Sequence, residues 1–365
     1  MKMYENELKA IKKSNRFRER VLYEETLCDF ASNDYLGLGC KKQLLKRAFD
    51  RLSMFATHAP KASQMVNGYH QVHKDFEEFV CRQNHFEAAI VVGSGFLANL
   101  SLIEALPRRG DILLLDEEYH ASGILASKLV DTQVVFFRHN DSLHVKEILE
   151  TSTYKRAIIG VEGIYSMSGD ILDKEIFEIA DKFNALLIVD EAHSSGVVGE
   201  KLLGVFELFG ITPRENHIKM GTLGKAYGSY GAYILCSNHV RDFLQNRAKA
   251  LIYATAPSPF DIELAHQGML YILKNRDILA QEIKQRQALV KEMFGVDMPG
   301  LIFPYTLKSS KDAISVQERL KEEGFLVGAI RPPTVPQAIL RIIPRLDIDI
   351  ATTKRLFTLI KEVQV

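Results

Sequence analysis

A lysine surrounded by small residues is the first feature of this sequence that could perform chemistry. Lys225 lies in the segment GTLGKAYG (221–228), shortly before an apolar run. The neighbouring glycines would let a ligand approach its amine closely, and burial would lower the pKa of that amine toward reactivity. A solvent-exposed lysine in a loop is the ordinary alternative, so its role depends on the residues that lie near it.

Two further candidates follow a different apolar run. The run LLIVD (186–190) ends on Asp190, and His193 stands three residues later. A carboxylate at the end of a buried strand is unfavourable unless a cation lies beside it. A protonated pyridine nitrogen is one such cation. An ion pair with lysine or arginine, or a helix N-cap, would also account for an isolated aspartate.

A glycine turn and a second histidine stand in similar positions. The turn GSGF (93–96) connects the run AAIVV to a helical pattern, and His120 comes just past the run ILLLD. Free N–H groups at the N-terminus of a helix bind anions such as phosphate. Each feature also has a structural explanation: a plain strand-to-helix turn for the glycines, and a hydrogen-bonded structural residue for the histidine.

Short apolar runs predict the element that positions these residues. Because the runs are apolar on both faces and are separated by helical stretches, they predict a mostly parallel sheet covered by helices on both sides. Ligands bind at the carboxyl ends of the strands in such sheets. The runs are AAIVV (88–92), ILLLD (112–116), VVFF (134–137), AIIGVE (157–162), LLIVD (186–190) and AYILC (232–236).

The order of these patterns predicts three segments. An N-terminal arm at 1–45 combines a charged helix with a loop, and a large α/β domain follows at 46–260. The remaining residues, 261–365, predict a linker helix and a small C-terminal α+β domain, because the helical pattern AISVQERLKEEG there alternates with the short runs FLVGAI and AILRII.

Composition excludes several classes of function. The 365 residues contain 46 basic and 46 acidic side chains, so no charge imbalance favours nucleic-acid or membrane binding. The charged N-terminus lacks the apolar core of a signal peptide, and no apolar run approaches the length of a membrane span, so we expect a cytoplasmic protein. The cysteines are scattered and predict neither a metal site nor disulfides. They are Cys28, Cys40, Cys81 and Cys236.

Seven ordered blocks resemble the α-oxoamine synthases, a family of fold-type I pyridoxal-phosphate enzymes, over nearly the whole chain. The blocks are FASNDYLGLG (30–39), VGSGFLAN (92–99), YHAS (119–122), EGIYSMSGD (162–170), VDEAHSSGVVGE (189–200), GTLGKAYGSYGA (221–232) and IYATAPSP (252–259). The resemblance implies a PLP-dependent transferase with a seven-stranded-type sheet, pyridoxal 5'-phosphate as cofactor, and a homodimer with shared active sites.

The resemblance also assigns roles around the cofactor ring. It makes Lys225 the Schiff-base lysine and the base that removes the substrate α-proton. Asp190 would pair with the pyridine nitrogen and keep the ring an electron sink. His193 would hydrogen-bond the phenolic oxygen of the cofactor, and His120 would stack on the face of its ring.

Other residues are matched to the cofactor phosphate and its surroundings. The N–H groups of Gly95 and Phe96 and the hydroxyl of Thr222 would lie near the phosphate. Thr255 would reach the phosphate bound by the neighbouring subunit. Ser166 matches a position near the cofactor oxygen, although a turn residue that bonds its own backbone explains it about equally well.

Substrate-binding residues are matched at both ends of the chain. Asn33 corresponds to a position near the substrate, and Arg341 to the arginine that binds the amino-acid carboxylate with a bidentate fork. The family commonly has Arg-Leu-Arg there, whereas this chain has RII (341–343). An N-terminal arginine near the acyl carboxylate is expected, and Arg20 is a candidate together with Arg16 and Arg18. A second departure is PKASQ (60–64), where relatives are richer in glycine.

Within the family, the block IRPPTVP (330–336) is most similar to the enzymes of biotin synthesis. It implies condensation of L-alanine with a pimeloyl thioester, carried on coenzyme A or on an acyl carrier protein, to give 8-amino-7-oxononanoate. Three alternatives remain open: a sister synthase that uses glycine or serine, a non-catalytic partner subunit, and a nucleotide-binding module built on the GSGF turn. The module has little support, since GSGF is neither GxGxxG nor a Walker loop.

Overall fold

Alternating strands and helices make up most of the chain. The computed structural model describes residues 3–14 and 16–362. Residues 1, 2 and 15 of the predicted arm and residues 363–365 of the predicted C-terminal domain lie outside the described residues.

The helices are α1 (Glu5–Lys13), α2 (Lys42–Leu52), α3 (Gln71–Asn84), α4 (Gly95–Ala105), α5 (Ala121–Ala126), α6 (Ser142–Thr151), α7 (Glu175–Lys182), α8 (Val205–Leu208), α9 (Asn238–Arg247), α10 (Lys249–Ile252), α11 (Pro259–Phe294), α12 (Ser310–Glu322) and α13 (Ile350–Glu362). The strands are β1 (Cys28–Asp29), β2 (Ala88–Val92), β3 (Ile112–Asp116), β4 (Gln133–Phe137), β5 (Ala157–Glu162), β6 (Leu186–Asp190), β7 (His217–Thr222), β8 (Ala232–Cys236), β9 (Phe303–Thr306), β10 (Phe325–Leu326), β11 (Gly328–Ile330) and β12 (Ile339–Ile342). Short turns of other helix types lie at Leu38–Cys40, Gln64–Gly68 and Ser127–Leu129.

The main sheet has seven strands in the order β2-β8-β7-β6-β5-β3-β4. Strand β8 is antiparallel to both of its neighbours, and the other adjacent pairs are parallel. The prediction of a mostly parallel, seven-stranded-type sheet is therefore confirmed. All six apolar runs lie in its strands. Strand β7 was not among those runs, because Lys219 and Gly221 interrupt its apolar pattern.

Most strands of this sheet are buried on both faces, which explains their apolar sequences. In β3, Ile112 and Leu114 belong to one hydrophobic cluster, whereas Leu113 and Leu115 belong to another. Successive side chains of a strand point to opposite faces. The sheet is thus a rigid central layer, and the loops at its carboxyl edge project from a fixed support.

A smaller sheet forms the C-terminal part. Strands β11, β12 and β9 pair antiparallel in that order, and α12 and α13 accompany them. Strand β1 of the arm pairs parallel with β10, so the arm is joined to the C-terminal region. We propose segment boundaries near residues 45 and 260; helix α2 runs across the first of them and the 36-residue helix α11 across the second.

Candidate active site

Several predicted site residues lie along one edge of the main sheet. Asp190 ends β6 and Thr222 ends β7, while the GSGF turn follows β2 and His120 follows β3. These four strands run in the same direction, so their carboxyl ends share an edge. This is the edge at which α/β sheets bind ligands.

The GSGF turn opens helix α4 with free backbone donors. The hydroxyl of Ser94 accepts the N–H of Leu97 and caps the helix. The N–H groups of Gly95 and Phe96 belong to the first turn and have no acceptor within the helix. A Cβ atom placed on Gly95 would lie 3.8 Å from Cβ of Thr222. The turn and Thr222 therefore form one surface that could bind a phosphate.

Lys225 points its amine at a buried histidine. Its Nζ lies 2.8 Å from Nε2 of His193. Burial lowers the pKa of Lys225 to about 8, although the charges of Asp190 and Glu162 act in the opposite direction. Burial, followed by the charge of Lys225, lowers the pKa of His193 well below its ordinary value. Near neutral pH the site thus contains a neutral imidazole and an amine that loses its proton readily.

A chain of hydrogen bonds connects His193 with the C-terminal region. Nδ1 of His193 lies 2.5 Å from the hydroxyl of Tyr35, which also lies 3.3 Å from Oδ1 of Asn33. Arg341, on β12, donates from Nη1 to the same oxygen at 2.9 Å. Its Nε donates to the backbone oxygen of Ser166 at 2.7 Å. The candidate carboxylate-binding arginine is therefore connected to the candidate base through two residues of the arm.

Asp190 is held by neutral donors. Asn99, on α4, donates from Nδ2 to Oδ2 of Asp190 at 2.8 Å, and the N–H of Ala192 donates to Oδ1. Asn99 is oriented in turn by the hydroxyl of Tyr119, which donates to its Oδ1 at 2.7 Å. No ion pair with lysine or arginine reaches Asp190 among the described residues, although its carboxylate is buried.

His120 occupies the N-cap position of α5. Its Nδ1 lies 2.7 Å from the hydroxyl of Ser122 and also accepts the N–H of that residue. The hydroxyl of Ser122 is in turn an acceptor for Nδ2 of Asn99. Burial lowers the pKa of His120, whereas the charge of Asp190 acts against this. The capping contact fixes the imidazole beside Asn99 and Asp190.

Glu162 is a fully buried acid that the sequence did not single out. It ends β5, next to Asp190 in the sheet, and its Oε2 accepts the N–H of Ser166 at 3.0 Å. Burial, and then the charge of Asp190, raise the pKa of Glu162 well above its usual value. Its Oε1 has no hydrogen-bond partner among the described residues. Glu162 is therefore a buried acid of raised pKa that presents one unpaired oxygen beside Asp190.

Two predicted residues lie apart from this network. Thr255 is exposed in the segment between α10 and α11, and Arg20 is exposed in the arm. Neither forms a hydrogen bond with the other predicted site residues. The network instead includes Tyr35, Asn99 and Glu162. The only available signal for them was their position inside or beside the blocks of the family pattern.

The unsatisfied groups of the site fit pyridoxal phosphate. A protonated pyridine nitrogen would provide the cation that the buried carboxylate of Asp190 lacks. The N–H groups of the GSGF turn suit a phosphate, and the amine of Lys225 suits an aldehyde. Within the described residues, no cluster of histidine, cysteine, aspartate and glutamate is placed to bind a metal, and no helix is long and apolar enough to cross a membrane.

Comparison with known sequences agrees with this chemistry. A family model for aminotransferase class I and II matches residues 25–357. The 8-amino-7-oxononanoate synthase of Helicobacter pylori strain J99 is 43% identical over 356 residues, which cover 97% of this chain and 95% of that protein. A putative 8-amino-7-oxononanoate synthase of Aquifex aeolicus is 35% identical, with 94% and 92% covered.

Solved structures show the same fold. The serine palmitoyltransferase of Sphingomonas wittichii superposes with a TM-score of 0.87 at 23% identity, over 99% of this chain and 96% of that one. The 8-amino-7-oxononanoate synthase of Francisella tularensis superposes with a TM-score of 0.75 at 27% identity, over 93% and 99%. The predicted fold-type I architecture is confirmed.

The predicted enzyme class and cofactor are also confirmed, because the family match and the named relatives agree on them. The chain is a pyridoxal-phosphate-dependent acyltransferase similar to 8-amino-7-oxononanoate synthases. It belongs to the aminotransferase class I and II family and, within that family, to the α-oxoamine synthases.

Proposed function

We propose that this enzyme condenses L-alanine with a pimeloyl thioester to give 8-amino-7-oxononanoate, carbon dioxide and the free thiol. The observation that carries the proposal is the hydrogen-bonded chain from Lys225 through His193, Tyr35 and Asn33 to Arg341. It connects a base of lowered pKa to a guanidinium suited to an amino-acid carboxylate. The names of the relatives supply the product.

Lys225 would act as the base. Bound pyridoxal phosphate would supply an electron sink that stabilises negative charge on the α-carbon of the amino acid. The burial that lowers the pKa of Lys225 leaves part of its amine neutral near pH 7, so it can accept the α-proton of alanine. His193, at 2.8 Å, would orient that amine and hydrogen-bond the phenolic oxygen of the cofactor.

Asp190 would keep a proton on the pyridine nitrogen, because its buried carboxylate is stabilised there by a positive charge. Asn99 would hold that carboxylate in position through the 2.8 Å hydrogen bond. His120 would cover the face of the ring from its N-cap position. The N–H groups of Gly95 and Phe96, with the hydroxyl of Thr222, would bind the phosphate.

Arg341 would bind the carboxylate of alanine. Its Nε and Nη1 are held by Ser166 and Asn33, which fixes the plane of the guanidinium. A fixed fork orients a carboxylate better than a mobile one because less freedom is lost on binding. Ser166 is placed by Glu162 and Arg341 and would lie near the cofactor oxygen. Arg20 stays a candidate for the acyl carboxylate.

We further propose that the enzyme is a homodimer in which Thr255 reaches the cofactor phosphate of the partner subunit. Thr255 is exposed, and the neighbouring Tyr253 is 80% exposed. A large aromatic side chain this exposed is a common feature of interface surfaces. The acyl donor is proposed to be a thioester of coenzyme A or of an acyl carrier protein.

Product identification tests the proposed reaction. The enzyme is incubated with pimeloyl-coenzyme A or pimeloyl-acyl carrier protein and with alanine carrying ¹³C in its carboxyl group. Mass spectrometry is expected to show 8-amino-7-oxononanoate without the label, since that carbon leaves as carbon dioxide. Retention of the label in the product would contradict the decarboxylation.

Competing substrates complete the experiment. Glycine and serine, and short-chain thioesters, are tested in the same way. Faster turnover of glycine or serine than of alanine would favour a sister synthase. This comparison is needed because alanine and glycine differ by one methyl group, for which pocket contacts give only about 1–3 kcal/mol of discrimination. The Lys225→Ala protein is the matched control. It is expected to bind cofactor without a covalent bond and to form no product.

A further inference from the structure

The GSGF turn follows an edge strand, and two side chains form hydrogen bonds with the outer side of that strand. Strand β2 is the first strand of the sheet and has β8 on one side only. Val91 is opposite Tyr233 in this pair. Its N–H donates to Oε1 of Glu77 at 2.9 Å, and its C=O accepts from Nε2 of Gln64 at 2.8 Å. Both backbone groups of Val91 are therefore bonded by side chains two residues before Gly93.

Glu77 extends from a helix that is itself fixed. His73 stands one turn earlier on the same face of α3, and its Nε2 lies 3.0 Å from the oxygen of Pro257. Its Nδ1 accepts the N–H of His70, so the ring proton sits on Nε2 and is donated to Pro257. Burial lowers the pKa of His73 to about 4 and keeps the imidazole neutral in this role.

Gln64 extends from a second fixed segment. The hydroxyl of Ser63 donates to the oxygen of Ile252 at 2.7 Å, and the N–H of Ala256 donates to the oxygen of Ala62 at 3.0 Å. The turn Gln64–Gly68 is packed so closely that a Cβ atom on Gly68 would lie 2.0 Å from that oxygen. Val91 is thus hydrogen-bonded by side chains from two segments that are themselves fixed, helix α3 and the turn Gln64–Gly68.

We propose that Glu77 and Gln64 are positioning residues for the cofactor phosphate. They fix β2 at Val91, and through it the N–H groups of Gly95 and Phe96 where the phosphate binds. The proposal rests on the phosphate role assigned to the GSGF turn and not on the identity of the amino acid or acyl group. A displaced turn would misalign its N–H donors, so the affinity gained from the phosphate would fall.

Simple protection of a sheet edge is the other explanation for these contacts. The two explanations differ in their dependence on the phosphate. If the contacts only protect the edge, their loss affects stability and weakens every cofactor analogue equally. If they position the GSGF turn, their loss weakens pyridoxal phosphate more than pyridoxal, which has the same aldehyde and ring but no phosphate.

The test measures the dissociation constants of both compounds from cofactor-free protein by absorbance. The dissociation constant of pyridoxal divided by that of pyridoxal phosphate reports the contribution of the phosphate, because the reaction with Lys225 is common to both. In Glu77→Ala the ratio is expected to fall about tenfold, which corresponds to the loss of one hydrogen bond. Glu77→Gln is expected to stay within about twofold of wild type, since its amide oxygen can still accept the N–H of Val91.

Glu87→Ala is the matched control. Glu87 precedes β2 at the end remote from the GSGF turn, and its carboxylate accepts the N–H of Asn238 at 2.9 Å. Its removal is expected to leave the ratio unchanged. An unchanged ratio in Glu77→Ala, or an equal fall in Glu87→Ala, would overturn the proposal. If Glu77→Ala does not fold, Gln64→Ala is measured by the same criteria.

Failure of the proposed function is recognisable separately. If wild-type protein binds pyridoxal phosphate no better than pyridoxal, the phosphate role of the GSGF turn is wrong, and this proposal is wrong with it. If the ratio behaves as expected while another product is formed, only the substrate assignment fails. Thermal unfolding of each variant without cofactor shows how much stability was lost independently of binding.

Discussion

The amine of Lys225 lies 2.8 Å from Nε2 of His193, and the opposite ring nitrogen lies 2.5 Å from the hydroxyl of Tyr35. A charged Lys225 can only donate to Nε2, so Nδ1 then carries the ring proton and donates to Tyr35. A neutral amine allows this arrangement and also a second one, in which Tyr35 donates to Nδ1 and Nε2 donates to the amine. Burial raises the pKa of Tyr35 to about 12, so its hydroxyl keeps its proton in both. The charged form of Lys225 therefore fixes the tautomer of His193, whereas the neutral amine allows both tautomers.

A pH titration of cofactor capture should reveal the lowered pKa of Lys225. The neutral amine is the form that attacks an aldehyde, and burial lowers its pKa to about 8. We expect the rate at which cofactor-free enzyme binds pyridoxal phosphate to rise with pH around a midpoint near 8. An ordinary lysine would give a midpoint of about 10.4. Stopped-flow absorbance measures the rate.

Two controls accompany this titration. Nα-acetyl-lysine reports the pH dependence of an ordinary, unburied lysine amine reacting with the same cofactor, and the Lys225→Ala protein reports reaction at other lysines. The buried Lys219, paired with Glu191 at 3.4 Å, remains present in that variant. A corrected midpoint close to that of Nα-acetyl-lysine would show that burial does not activate Lys225.

Asn99 should be needed to hold the carboxyl group of Asp190 in its working position. In Asn99→Asp, a second carboxyl group would face Asp190 at the 2.8 Å contact, and two carboxylates so close cannot both be ionised. We expect kcat to fall about tenfold or more, with a shifted absorption maximum of the bound cofactor. Tyr119→Phe removes only the donor to the far side of Asn99 and should lower kcat less. Equal kcat in Asn99→Asp and wild type would contradict this role.

The sequence suggested the candidate reactive residues more readily than the residues that hold them in place. Lys225, His193 and Arg341 stand in motifs whose residue types already suggest a role. Tyr35 and Asn99 were missed because their partners are distant in sequence: Tyr35 contacts His193 across 158 positions, and Asn99 contacts Asp190 across 91. Such contacts arise from the folded topology and leave no local pattern.

The strands of the main sheet also differ in how well the local sequence predicts them. Strands with uninterrupted apolar runs were predictable because burial on both faces requires them. Strand β7 was not, since Lys219 stands in its centre. The burial of Lys219 is compensated by its contacts with Glu191, Asn84 and the backbone oxygen of Leu203. Thr255 and Arg20 lie outside the network for a different reason: their proposed partners are a second subunit and a substrate.

Arg341 should determine the affinity for the amino acid. In Arg341→Lys the fork that contacts Asn33 and Ser166 is replaced by a single ammonium group, so the oriented carboxylate contact is lost. We expect KM for alanine to rise about tenfold or more while KM for the acyl thioester changes little. Steady-state kinetics with each substrate varied in turn measures both. Equal increases in both constants would indicate a general disturbance of the site.

His139 should stabilise the loop that carries Ser166, in a pH-dependent way. Its Nδ1 lies 2.9 Å from Asp116 and its Nε2 lies 3.0 Å from Asp170. Burial acts to lower the pKa of His139, but the hydrogen bonds to these carboxylates outweigh it and raise that pKa to about 10. Asp116 also accepts the hydroxyl of Tyr165, next to Ser166.

The sign of the effect follows from this raised pKa. The charged His139 stabilises the folded state fully below its unfolded pKa of about 6.5, and this stabilisation is lost as pH rises toward 10. We expect His139→Gln to lower the free energy of unfolding by about 2 kcal/mol near pH 6 and by clearly less near pH 10. Urea unfolding at both pH values measures this. His144→Gln is the control, because the imidazole that it replaces accepts the backbone N–H of Arg138 and bonds no carboxylate, so its effect should be similar at both pH values. A pH-independent loss in His139→Gln would show that its two hydrogen bonds do not depend on its charge.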